Sequence, residues 1–193
     1  MTDITRMLSL PTEEELFELC GFCRELADRC NKMLSGTRSI KLRSSGKIFV
    51  RMDGLNAAVA LTHLIQNALK YSPEDSVPII NVFTEPNKGD PIAVIRISNI
   101  ASRQLSAVDL NARQLMGTGL RIIKRFAEME GGGFELIIQE DIISAEMTLP
   151  AVPLQKAAGK KTGNLSDILS DNGTGMPDVA ETLMFEITDG ERF

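Results

Sequence analysis

The sequence predicts an α+β domain, a two-layer α/β sandwich: one mixed, mostly antiparallel sheet with its helices collected on one face. Three observations predict it. Apolar residues recur at helical spacing in three segments, and strand-like alternation fills the stretches between them. The order along the chain is helix, hairpin, helix, strand, strand, loop, helix and a strand pair. Composition agrees: 193 residues, 43% hydrophobic and 24% charged, suit an ordinary globular chain with one domain and an appendage.

Residues 1–10 carry no clear pattern. The first helix is predicted over residues 12–34, with Thr12 as N-cap, Glu15 completing a capping box, and Ser35-Gly36 stopping it. Its seam is Leu16, Leu19, Cys23, Leu26, Cys30 and Met33, flanked by Cys20. The three cysteines cannot all pair. A metal site is a poor fit with a single histidine in the chain, so they are read as small buried hydrophobes.

Residues 39–42 and 47–52 alternate around Ser44-Ser45-Gly46 and predict a β-hairpin. Asp53-Gly54 breaks it, and a helix follows over about residues 55–71, ended by Ser72-Pro73. Strands are expected at 78–84 and 92–100 around a turn rich in Pro, Asn, Gly and Asp. Residues 101–116 have no strong period and suit a loop over a site. A helix opens at Gly117-Thr118-Gly119-Leu120 and ends at Gly131-Gly132-Gly133, before strands at 134–139 and 142–149. The domain is expected to span residues 1–150. Residues 151–193 form an appendage, beginning with a flexible linker, QKAAGKKTG.

The chemistry is concentrated at residues 61–73, LTHLIQNALKYSP. Leu61, Leu64, Ile65, Ala68 and Leu69 make the packed face of a helix. His63, Asn67 and Lys70 fall on one stripe nearly opposite, because spacings of four and then three residues return to the same side. A carboxamide oxygen is a ligand for a hard cation, and an ammonium is a point charge for phosphate. Taken alone, such a stripe is also what a solvated surface helix shows. Gly117, Thr118, Gly119 and Leu120 stand where a loop becomes a helix, a place where free N–H groups and the helix dipole favour phosphate.

Two motifs carry a resemblance. NALKYSP preceded by His63 resembles the N-box of the ATP-binding domain of sensor histidine kinases, a fold shared with gyrase, Hsp90 and MutL ATPases (the GHKL or Bergerat fold). GTGLRIIKRFAEMEGG resembles the second glycine box of the same family. The resemblance covers roughly residues 12–150. It implies ATP and Mg2+ as ligands, with Asn67 holding the metal, Lys70 approaching the phosphates, and His63 and Asn67 in the catalytic positions. It also implies that Tyr71, Gly117, Thr118, Gly119 and Leu120 lie beside the nucleotide. Two departures stand out. The family's adenine-binding Asp, set in Asp-x-Gly-x-Gly, is here Asn99 within Ile97-Ser98-Asn99-Ile100-Ala101, as in the quorum-sensing type of sensor kinase. Arg121 replaces a later glycine of the second box and is expected to tighten its turn. A misplaced match to the missing box, DNGTGMP, begins at Asp171; as strong turn chemistry it is read as a surface turn.

The main reading is therefore an ATP-binding catalytic domain of a two-component sensor kinase. It would present Mg-ATP for phosphoryl transfer to a histidine on another domain or chain. The expected partners are a phosphoacceptor-histidine domain of the parent kinase and a response regulator. The alternative is a degenerate, non-catalytic nucleotide fold that binds a signalling partner, a reading kept open by Asn99 and Arg121. A gyrase-type ATPase needs an acidic base at position 63, and His63 counts against it. A net charge of −5 and a pI near 5.0 argue against nucleic acid as a partner. The absence of a long apolar run argues against membrane insertion, so the expected location is cytoplasmic, on its own or as part of a membrane-anchored sensor. The tail is expected to touch the domain through Leu183, Phe185 and Ile187 without forming the adenine site.

Overall fold

The computed structural model describes residues 14–101 and 118–171. Seven strands run β1 (Glu15–Glu18), β2 (Lys41–Ser44), β3 (Phe49–Met52), β4 (Ile79–Glu85), β5 (Ile92–Ile100), β6 (Gly133–Gln139) and β7 (Ile142–Val152). They form one sheet in the order β1-β3-β7-β5-β4-β2, with β6 also paired to β7. Only β2 and β4 are parallel. The strand β7 is the spine. One edge holds β5 along residues 142–150, and the other holds β6 and then, at Ala151 and Val152, the strand β3.

Three helices, α1 (Leu19–Met33), α2 (Gly54–Lys70) and α3 (Thr118–Met129), share one core with alternate strand residues. Ala93, Ile95 and Ile97 of β5 and Met147 and Leu149 of β7 meet Leu26, Leu61, Leu64, Ile65 and Phe126 in that core. Each of these side chains larger than alanine contributes about 1.5–3 kcal/mol on leaving water. The expected two-layer α+β architecture is the one observed.

Two expected elements differ. The first helix begins at Leu19, because Glu15–Glu18 pairs antiparallel with β3 and so becomes the strand β1. Glu18 takes the N-cap role, its carboxylate accepting from the backbone N–H of Cys20 (3.1 Å) and Gly21 (2.8 Å). The expected cap, Thr12, lies outside the described residues. A helical period and a short buried strand are hard to separate over four residues, and tertiary pairing decides. The expected hairpin does not form either. The strand β2 takes the free edge of β4, whereas β3 lies between β1 and the end of β7. Turn chemistry at Ser44-Ser45-Gly46 says nothing about these distant partners.

The cysteines behave as expected, since Cys20, Cys23 and Cys30 are buried free thiols of α1. Burial, chiefly, raises the pKa of Cys20 and drives that of Cys23 far above its usual range.

The stretch expected to be a flexible linker folds back. Leu154–Ala157 forms a short helix α4, and Leu165–Asp171 forms α5. Gly163 makes a parallel bridge to Phe17, and its N–H donates to Leu16 O at 2.8 Å. Leu165 is fully buried in the core. Ile168 lies so close over Gly54 that a Cβ there would collide with it, and Phe17 Cζ would stand 2.7 Å away. The rest of DNGTGMP after Asp171, together with Leu183, Phe185 and Ile187, lies outside the described residues.

Candidate functional site

The helix α2 starts on Asp53, a buried N-cap whose Oδ1 accepts from Asn56 N–H at 2.7 Å. Its apolar face is buried as the spacing predicts, with Leu61, Leu64, Ile65, Ala68 and Leu69 all inside the core. That burial fixes the helix rotation and turns the His63, Asn67 and Lys70 stripe away from the sheet. His63 and Asn67 are half-buried and Lys70 is exposed.

What half-covers the stripe is the start of α3. A Cβ built on Gly119 would stand 3.6 Å from Asn67 Nδ2 and 3.6 Å from His63 Nδ1. The first turn of α3 is therefore set against the polar side of α2, bringing two separately predicted motifs together. Free N–H groups of a helix N-terminus carry partial positive charge, which suits an anion. Leu120 packs its side chain on the core, so it can offer the site only its backbone. Arg121 is an exposed residue within α3, and the turn it is expected to tighten begins outside the described residues. Gly117 lies outside the described residues, as does the expected loop at 102–116.

The Asn67 side chain has no hydrogen-bond partner among the described residues. Its amide is thus available to a ligand on both its donor and acceptor sides. Lys70 has no carboxylate within ion-pair distance among the described residues; its Nζ lies 5.7 Å from the ring centroid of Tyr71, which is 45% exposed. His63 Nδ1 lies within hydrogen-bond distance of Gln66 Oε1, at 3.1 Å. Among the described residues no three metal-ligating acids, histidines or cysteines gather here. A cation would have to be shared between the Asn67 oxygen and the ligand's own oxygens.

Asn99 stands at the far end of β5, paired with Ile143. The pleat puts it on the face of Ala93, Ile95 and Ile97, which is the helix side. It is buried, and its Nδ2 donates to Ile100 O at 3.1 Å, leaving Oδ1 as the acceptor it can offer. No hydrogen bond joins it to α2 or α3 among the described residues.

Supporting contacts around the site escaped the sequence reading. Gln66 orients His63, and its place one residue before Asn67 was the available signal. Arg38 reaches the C-terminal end of α2 from the loop between α1 and β2, its Nη1 donating to Leu69 O at 2.6 Å and Nη2 to Ser72 O and Pro73 O at 3.4 and 3.3 Å. Ser72 Oγ adds a bond to Ala68 O. Glu130, just past α3, accepts from Asp53 N–H at 3.1 Å and so ties the end of α3 to the start of α2. Burial is the main reason its carboxyl pKa is raised.

No protein-family model and no curated sequence matches the chain. Solved structures do. The mycobacterial sensor histidine kinase MprB superposes with a TM-score of 0.60 at 17% identity, over 74% of this chain and 100% of that one. The ATP-binding domain of PrrB from Mycobacterium tuberculosis gives 0.59 at 14%, over 73% and 99%. The histidine kinase domain of the E. coli osmosensor EnvZ gives 0.56 at 23%, over 81% and 99%. The fold of this chain is the histidine-kinase catalytic-domain fold.

Proposed function

We propose that this chain binds Mg-ATP as the catalytic half of a two-component sensor histidine kinase and presents the γ-phosphoryl to a histidine on another domain or chain. One observation carries the reading. The unpartnered carboxamide of Asn67 meets the first turn of α3 at Gly119, where a Cβ would stand 3.6 Å from Asn67 Nδ2, in ordinary contact with it. Asn67 would hold Mg2+ through Oδ1, and the bound metal would neutralise charge on the phosphates. Lys70 supplies a point charge to the same oxygens. The N-terminal N–H groups of α3, with Gly117, Thr118, Gly119 and Leu120, supply the phosphate cradle. Tyr71 flanks the lysine, and His63, held by Gln66, borders Asn67. Asn99 offers Oδ1 to the exocyclic amine of adenine.

Catalysis on this reading is positioning and charge stabilisation. A phosphoacceptor domain and a response regulator are the partners, and nucleic acid is not. No helix among the described residues is long and apolar enough to cross a membrane, which agrees with action on the cytoplasmic side. Binding at 100 times the dissociation constant should raise stability by about 2.7 kcal/mol. A melting point that Mg-ATP leaves unmoved at millimolar concentration would leave only the fold.

A further inference from the structure

Away from the nucleotide site, the outer edge of β1 borders an open cleft of about 640 Å3. The strand β1 is the end of the sheet, and among the described residues its free edge is met only by Gly163. Arg51, Lys160 and Lys161 project around this cleft, all exposed. None has a carboxylate within ion-pair distance among the described residues, although Glu15 and Asp167 line the same space. Three unpaired cations beside a partly open strand edge suit an extended acidic segment, which can satisfy both the backbone and the charge.

We propose that the occupant is this chain's own segment 178–191. Residues 172–193 hold five acidic side chains (Asp178, Glu181, Glu186, Asp189, Glu191) against one basic, Arg192, for a side-chain charge of −4. They start directly after α5, whose Asp167 already lines the cleft. A coil of ten residues spans about 16–19 Å, enough to turn back from Asp171. Attachment gives the segment an effective concentration in the millimolar range, an advantage that a separate acidic peptide lacks. Charge also separates it from the other candidate in the chain: residues 1–13 carry Asp3, Arg6 and Glu13, a net −1. This proposal does not depend on nucleotide binding.

The test is zero-length carbodiimide cross-linking of the full chain, with a mixed light and heavy isotope sample, mapped by mass spectrometry. Links from Lys160 and Lys161 to Glu15 or Asp167 serve as the internal control. The expected result is within-chain links from these lysines to Asp178, Glu181 or Glu186, independent of protein concentration and suppressed by high salt. As a second readout, Asp178→Asn/Glu181→Gln/Glu186→Gln in the full chain should raise acetylation of Lys160 and Lys161 severalfold, with Lys124 unchanged. Links only between chains would move the segment onto a second copy and overturn the proposal. Links to Asp3 or Glu13 instead of the tail would overturn it too, as would lysine reactivity indifferent to the tail variant.

Discussion

Arg38→Ala removes a clamp that no residue of α2 can replace. The guanidinium donates to Leu69 O at 2.6 Å and makes longer contacts, 3.4 and 3.3 Å, to Ser72 O and Pro73 O. A hydrogen bond to a charged group is worth about 1.5–3 kcal/mol, and here only the short one has good geometry. A cation at a helix C-terminus adds about 0.3–1 kcal/mol through the dipole. The expected loss is thus about 2–4 kcal/mol, a large share of a typical 5–15 kcal/mol. Arg38→Lys keeps the charge but has no planar fork, so it should recover less than half. The assay is urea unfolding at constant m, with amide exchange at Tyr71 and Ser72, whose N–H groups bond to Asn67 O and Leu69 O. If Arg38→Ala unfolds within about 0.5 kcal/mol of wild type, or Arg38→Lys matches wild type, the clamp is not what holds the end of the site helix.

Gly119→Ala separates stability from binding. The new Cβ makes ordinary contacts at 3.6 Å in the absence of ligand, so stability should hold or rise by up to about 1 kcal/mol from helix propensity. Mg-ATP affinity should fall at least tenfold by titration calorimetry, because the methyl group enters the gap beside Asn67. Asn99→Asp should lower stability without nucleotide by about 1–3 kcal/mol, since a carboxylate cannot donate to Ile100 O. Affinity for ATP should be kept or strengthened, and weaker binding by a folded variant would count against adenine at this residue. Glu130 has its carboxyl pKa raised, mainly by burial. Its contribution is therefore fully present below the unfolded carboxyl pKa and is lost as pH rises through the raised value. Glu130→Gln keeps an oxygen for Asp53 N–H, so it should be the more stable protein at pH 7, with the gap closing on acidification. Unfolding curves from pH 4 to 8 check this.

The site helix was legible because its signals are local. The spacing of Leu61, Leu64, Ile65, Ala68 and Leu69 fixes which side is buried, and hence where His63, Asn67 and Lys70 point. The strand at 92–100 was legible for the same reason, its alternation surviving as the pleat that turns Asn99 to the helix side. What escaped the sequence depends on distant partners. Residues 15–18 join the sheet because β3 is there to pair with them, and Lys41–Ser44 passes over its neighbour in sequence for β4. The linker composition of residues 155–163 concealed a return held by Gly163 at β1 and Leu165 in the core. Arg38 and Glu130 act on α2 from 31 and 77 residues away, to Leu69 and Asp53. No local pattern announces such contacts.

The most direct measurement is titration calorimetry of ATP into wild type and Asn67→Ala, each with magnesium and with chelator. The Asn67 side chain is half-buried, has no partner among the described residues and lies off the apolar face, so its truncation should change the unfolding free energy by less than about 0.5 kcal/mol. The account predicts that wild type binds ATP, that chelation weakens the binding, and that Asn67→Ala removes the magnesium-dependent part while staying folded. Equal magnesium-dependent affinity in the two proteins, or no ATP binding by folded wild type, would contradict it.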